Sequence, residues 1–199
     1  MAETALPGVA LPVGAVERRG VGWWGVLTVI ATEGALFVYL LFSYYYYDVQ
    51  FGAGWLPTDL PPLKYGIPNL VILVISNLAA WFALRGVRRG RQLELLAGLG
   101  VAFILGLGFV ALQALEWAGA RFTLRSSTYG SIYYLIGGFH LAHLVAGLLM
   151  LLALILWSAL GYFDRVRHAP VLIVTAYWNF VLAVFVAVFF TFYVTPRIG

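Results

Sequence analysis

Five long apolar runs, joined by short polar connections, organise this 199-residue chain. Each is near the ~20 residues that a membrane-spanning helix needs. They lie at about Gly22–Tyr46, Gly66–Leu84, Leu93–Trp117, Tyr129–Leu160 and Val171–Val194. The fourth is long enough to tilt or to project beyond the bilayer. The pattern predicts an all-α integral membrane protein with two parts: a polar N-terminal tail (1–21) and one five-helix transmembrane domain (22–199). Residues 1–19 hold two prolines and a charged Glu-Arg-Arg run, with no signal-peptide cleavage pattern after them. The longest connection, Asp48–Tyr65, carries Pro57, Pro61 and Pro62, with Pro68 at the start of the next helix. It reads as an ordered surface loop.

Composition supports the membrane reading. Hydrophobic residues make up 63% of the chain and charged residues 10%, against about 25% charged in soluble domains. Cysteine is absent, which excludes disulfides, thiolate metal sites and iron–sulfur clusters. The net charge of +4 is small, and basic residues in such a chain set topology rather than bind nucleic acid. Arg18, Arg19, Arg85, Arg88, Arg89, Arg91, Arg165 and Arg167 fall on one side of the predicted membrane. Only Lys64, Arg121, Arg125 and Arg197 fall on the other. The excess predicts a cytoplasmic N-terminus and an external C-terminus. Arg85, Arg88, Arg89 and Arg91 also form a candidate lipid-headgroup site. Trp23 and Trp24 would anchor the inner interface, and Tyr44 to Tyr47 with Trp55 the outer one.

Helix association in lipid depends on close backbone approach at small residues. Gly98, Ala102 and Gly106 recur at this spacing on the third helix. Gly138, Ala142 and Ala146 do so on the fourth, and Ala183 with Ala187 on the fifth. All three stripes are expected to be packing faces.

Against this apolar background the ionisable residues stand out, because a charge at mid-membrane costs roughly 2.5–3.5 kcal/mol on insertion scales. At 1.5 Å per residue, Glu33 lies about 16 Å from the inner end of helix one, and His140 and His143 about 16 and 21 Å from the outer end of helix four. In a ~30 Å core all three are near one level, so a Glu33–imidazole hydrogen bond is feasible if those helices touch. The spacing of His140 and His143 places them on one helix face. Glu116, three residues after Gln113, sits at the outer end of helix three, within reach of water or the start of helix four. With Asn179, these residues form the candidate buried polar network: Glu33, Gln113, Glu116, His140, His143 and Asn179.

Two histidines at this spacing could instead ligate haem or a metal. A di-iron bundle, however, repeats Glu-x-x-His on two helices and adds further glutamates, and that pattern is missing. A structural hydrogen-bond network is the first reading and proton handling the second; the amides Asn69, Asn77, Gln113 and Asn179 favour the network. No phosphate loop, Ser-His-Asp pattern or zinc spacing is present.

Four segments then occur in order: EGALFVYLLFSYYY, LQALEW, STYGSIYYLIGGFHLAHLVAG and YWNFVLAVFVAVFFTFY. Together, from about Gly22 to Val194, they resemble subunit III of haem–copper oxidases of the cytochrome c oxidase type. The most specific piece runs from Tyr129-Gly130-Ser131 through Phe139-His140-x-x-His143. The resemblance implies a subunit with no catalytic centre and no bound cofactor of its own, haem and copper residing in oxidase subunits I and II. Such a subunit packs beside subunit I, stabilises it during proton-coupled reduction of O2 to water, and holds phospholipid. Glu33 matches the family's carbodiimide-reactive glutamate, and Glu116, His140 and His143 match its other recurrent polar positions. Larger members have seven helices, and this chain resembles a five-helix form that starts at the third.

One motif departs from the family's Tyr-Trp-His-Phe-Val-Asp ending: here Tyr177-Trp178-Asn179-Phe180-Val181-Leu182 replaces a histidine and an aspartate. An accessory subunit of a nitric oxide reductase or quinol oxidase therefore stays open, as does a small proton-coupled transporter. Against the transporter, the chain shows no inverted repeat and no pair of Gly/Pro-broken helices. The expected setting is the plasma membrane of a prokaryote, with membrane lipid and a larger respiratory supercomplex as further partners.

Overall fold

The structure is a computed structural model that describes residues 20–198. Residues 1–19 of the expected N-terminal tail, with Arg18 and Arg19, lie outside the described residues, and Val21, expected in the tail, opens α1. Five helices are long and apolar enough to cross a membrane: α1 (Val21–Phe51), α2 (Leu63–Arg88), α3 (Gln92–Gly119), α4 (Thr128–Ala159) and α5 (Ala169–Phe189). No strand occurs among the described residues. Helices suit this chain because lipid offers no partner for a free backbone N–H or C=O, and a helix pairs both internally. The last span continues through a π-helical turn (Phe190–Val194) to Ile198.

Most of the helices extend past the apolar runs, although α4 stops at Ala159, one residue short of its run. α1 continues through Asp48 to Phe51, and the connection to α2 shrinks to a 3₁₀ turn (Gly52–Trp55) and a proline-bearing loop. An apolar run reports the part that meets hydrocarbon, whereas the hydrogen-bond ladder does not stop at the interface. Pro68, expected at the start of the second helix, lies inside α2.

α2 and α3 form the tightest pair, while α5 packs against α1, α2 and α4. Half of the most apolar window of the α5 span is buried, against 17% for α1, so α5 is the core helix and α1 the peripheral one. The α2–α3 hairpin turns at Gly90, whose φ of +72° suits glycine, and the Arg165 side chain occupies the space where a Cβ would stand. Ser127 caps α4, its side chain accepting from the Gly130 N–H at 3.1 Å.

Only one of the three expected small-residue stripes is an inter-helix contact. On α3, Gly98 meets the α2 backbone, Ala102 is fully buried, and Gly106 meets Leu148 and Trp178. On α4, Gly138 faces open space and Ala142 is exposed, whereas Gly147 packs against Trp178 and Tyr177. On α5, Ala183 is exposed. A four-residue period identifies a face without saying which way it points.

The tyrosine run is likewise more than an interfacial belt. At about 100° per residue four consecutive tyrosines sample every face of α1. Tyr44 is fully buried among Trp55, Tyr129 and Phe192, and the Tyr45 hydroxyl is 3.1 Å from that of Thr191. Tyr46 is exposed.

The α4–α5 connection is tied by Asp164. Its carboxylate accepts from the N–H groups of Val166 (2.8 Å) and Arg167 (2.6 Å) and from the Arg167 guanidinium at 2.9 Å. Partial burial pushes its pKa up, but the Arg167 and Val166 donors outweigh this and hold it below the usual 3.8. A carboxyl depressed in this way contributes stability that is present above its unfolded pKa and lost as pH falls through the lower folded value. Asp164→Asn is expected to lower stability by about 0.5–1 kcal/mol at pH 7, the group being only half buried. Melting curves from pH 7 down to 3 should show the gap from the native chain closing below about pH 4. A constant gap would remove the carboxylate from the account.

Candidate functional site

The six candidate polar residues separate into four places rather than one network. The first joins α1 to α4 across the middle of the bundle. His143 Nε2 lies 3.1 Å from Glu33 Oε2, and His143 Nδ1 lies 2.7 Å from the Phe139 carbonyl one turn earlier. A carbonyl only accepts, so Nδ1 carries a proton. One proton then lies between Nε2 and the carboxyl, giving either imidazolium with carboxylate or neutral imidazole with carboxylic acid. Either form is neutral overall, which is the charge state a bilayer tolerates. Phe37 packs edge-on against the imidazole at 5.1 Å, and the Tyr177 hydroxyl donates to the His143 carbonyl at 3.1 Å. α1, α4 and α5 therefore meet at this clasp. Glu33 keeps 36% of its side chain exposed, His143 only 14%.

His140 points elsewhere. Its Nε2 faces the Val181 carbonyl at 3.2 Å, and its ring lies beside Phe109 and Phe185. The spacing that puts both histidines on one broad face also separates them by about 60° around the axis, enough to send one to α1 and the other toward α3 and α5. Each spends a ring nitrogen on a backbone carbonyl. Among the described residues no group of three or more His, Asp or Glu side chains gathers as a metal site would.

Glu116 lines a cleft at the end of the bundle, beside Tyr133 near the start of α4. It is 2% exposed, with the Tyr193 hydroxyl donating to Oε1 at 2.6 Å and Gln113 donating to Oε2 at 3.2 Å. The π-helical turn carries Tyr193, whose ring lies where a Cβ on Gly66 would stand. Sequence reading missed Tyr193, because a tyrosine at the end of a span reads as an interfacial anchor. Asn179 stands apart from both histidines, accepting from the Trp81 indole N–H at 3.0 Å and donating to the Thr175 carbonyl at 2.7 Å.

A second missed cluster is built on a serine. The Trp178 indole N–H donates to Ser76 Oγ at 2.9 Å, and Ser76 donates to the Ala102 carbonyl at 2.8 Å. This single hydroxyl ties α5, α2 and α3. Serine carries too little polarity to stand out in an apolar run, and its partners become visible only once three helices are placed.

All four arginines of the arginine-rich turn are exposed, while Gly86 and Val87 between them are buried. Arg91 pairs with Glu94 at 2.6 Å, whereas Arg85, Arg88 and Arg89 make no ion pair among the described residues.

The sequence from residue 13 to 196 matches the family model for cytochrome c oxidase subunit III. This chain belongs to the cytochrome c oxidase subunit III family. It is 28% identical to cytochrome c oxidase subunit 3 of Drosophila yakuba over 177 residues, 85% of this chain and 68% of the fly protein. The Scyliorhinus canicula protein matches to the same extent. That of Artemia franciscana is 30% identical over 174 residues, 85% of this chain and 67% of its relative. Membership in the subunit III family places the chain in the respiratory machinery, in a complex with other oxidase subunits. Within the family assignment, the divergent Asn179 takes its contacts with Trp81 and Thr175 and none with the clasp.

Proposed function

We propose that this chain is the non-catalytic subunit III of a respiratory oxidase, stabilising the catalytic subunit I during proton-coupled reduction of O2 to water. The observation that carries this reading is the Glu33–His143 clasp. α1 is the least buried span, and the clasp ties it to α4 near the middle of the bundle. A peripheral helix held in this way presents a fixed outer face to a partner subunit. The haem and copper would belong to subunits I and II. The excess of Arg on the side of the α2–α3 turn supports a cytoplasmic N-terminus, and we assign the protein to the plasma membrane of a prokaryote. Arg85, Arg88 and Arg89 would then meet anionic headgroups of the inner leaflet.

Removing the clasp tests the reading. Interhelical hydrogen bonds in membranes contribute about 0.6 kcal/mol on average and about 1.7 at most. Glu33→Leu is expected to lower the stability of the bundle by an amount in this range and to shorten the lifetime of the oxidase during turnover. Glu33→Gln keeps one donor for the imidazole and should fall between. Native assembly and turnover lifetime in the leucine variant would discard the clasp. Purification of the chain with its partners in mild detergent tests the assignment itself. Haem bands with copper are expected; haem without copper would move the chain to a nitric oxide reductase, and a colourless solitary chain would leave a transporter.

A further inference from the structure

Glu116 lies at the floor of a cleft that the clasp does not use. The cleft, about 330 Å³, opens at the end of the bundle opposite the arginine-rich turn. The α1–α2 loop supplies Asp59, the start of α2 supplies Lys64, and Gly119 and Arg121 lie where α3 ends. Tyr133 closes the α4 side. Arg121 and Asp59 pair at 3.3 Å near the opening, and both are largely exposed. Arg197 donates to the Tyr193 and Pro61 carbonyls at 2.6 Å, holding the end of the chain against the loop. A water molecule takes about 30 Å³ of liquid, so a polar cleft of this size accommodates several.

The donors around Glu116 decide what it can do. On the protein side the Tyr193 hydroxyl and the Gln113 amide both donate to it, and the Tyr133 hydroxyl adjoins it on the cleft wall. They satisfy a carboxylate. A carboxylic acid needs in addition an acceptor for its own O–H, which the Tyr133 hydroxyl oxygen or water in the cleft provides. Both protonation states are thereby satisfied without moving a helix. A residue kept only to join α3 to α5 would not need an opening to solvent.

We propose that Glu116 is a proton-binding site in exchange with the water at this end of the bundle. A hydronium ion entering the cleft transfers its proton to one carboxylate oxygen and leaves as water, while Tyr193 and Gln113 remain in place. The charged and titratable groups facing the site are Lys64, Asp59, Arg121, Arg197 and the hydroxyls of Tyr129, Tyr133, Tyr134 and Tyr193, so the field around Glu116 comes from several elements besides its own helix. The site is separate from Glu33, whose proton is shared with His143.

Infrared difference spectroscopy on the purified complex, held in lipid nanodiscs, tests this. A carboxylic-acid C=O band that is absent in Glu116→Gln is expected to grow as pH is lowered and to shift within seconds of transfer to D2O. A Cβ on Gly119 would meet no atom within 4 Å, so Gly119→Leu can narrow the cleft without disturbing the fold. It should slow the D2O shift at least tenfold while leaving the melting temperature unchanged. Should the glutamine variant fail to assemble, ¹³C-labelled glutamate identifies carboxyl bands in the native and Gly119→Leu proteins, and the comparison of their exchange rates still stands. Exchange over hours in the native protein, or equal rates in both proteins, overturns the proposal.

Discussion

Gly98→Leu is expected to prevent accumulation of the folded bundle, whereas Gly108→Leu on the same helix should be tolerated. A Cβ at Gly98 would stand 2.7 Å from the Ala79 carbonyl oxygen and the Ala83 nitrogen, and 2.8 Å from the Ala83 Cβ. Two of these are backbone atoms of α2, so no rotamer change relieves the contact. The helices would have to separate along their most extensive interface. Overpacking a core typically costs about 1–3 kcal/mol where side chains can adjust. A displaced backbone should exceed that range, and the separation would also pull Ser76 from the Ala102 carbonyl. At Gly108 a Cβ meets nothing within 4 Å, and leucine has the better helix propensity by somewhat under 1 kcal/mol. Gel filtration and thermal melting of the two variants side by side check the contrast. Equal behaviour would mean that the α2–α3 interface is not as close as described.

Trp178→Ala should give the next largest loss, about 3–5 kcal/mol by the behaviour of buried aromatics. The indole is fully buried and rests against Gly106 and Gly147, two glycines on different helices whose missing side chains make its pocket. In lipid, much of the benefit of hiding apolar surface from water is absent, so the loss is of packing contacts and of the Ser76 hydrogen bond. Trp178→Phe separates these contributions. It keeps much of the ring volume and removes the N–H, and Ser76 still has the Ala102 carbonyl as its acceptor. It should cost about 1–2 kcal/mol from the lost bond and the smaller ring. A melting-temperature series of native, phenylalanine and alanine should descend in that order. If phenylalanine is as damaging as alanine, the indole N–H dominates rather than the ring.

Fold class was legible early because it depends on a one-dimensional property. Each of the five spans needs a continuous apolar run of a certain length, and a run can be read without knowing its neighbours. The clasp was partly legible for a similar reason: depth follows from position along a straight helix, so Glu33 and His143 could be placed near one level before α1 and α4 were known to touch. Glu116 was legible only in part. Its position near the end of a span pointed to water or the start of α4, where the cleft and Tyr133 lie, but its bond to a tyrosine 77 residues later, carried on a π-helical turn, could not be read.

Sequence alone determined the number of spans, the isolation of a few ionisable groups in hydrocarbon, and four ordered motifs that match one family. Tertiary structure decided every question of direction. Gly98 packs while Gly138 does not, and His140 turns inward while His143 turns to α1. The physical reason is that lipid and protein interior are similarly apolar, so the hydrophobic pattern that orients a soluble helix has little contrast here. Which side of a helix is inside is then set by shape and hydrogen bonding between helices, and those exist only after the helices have met.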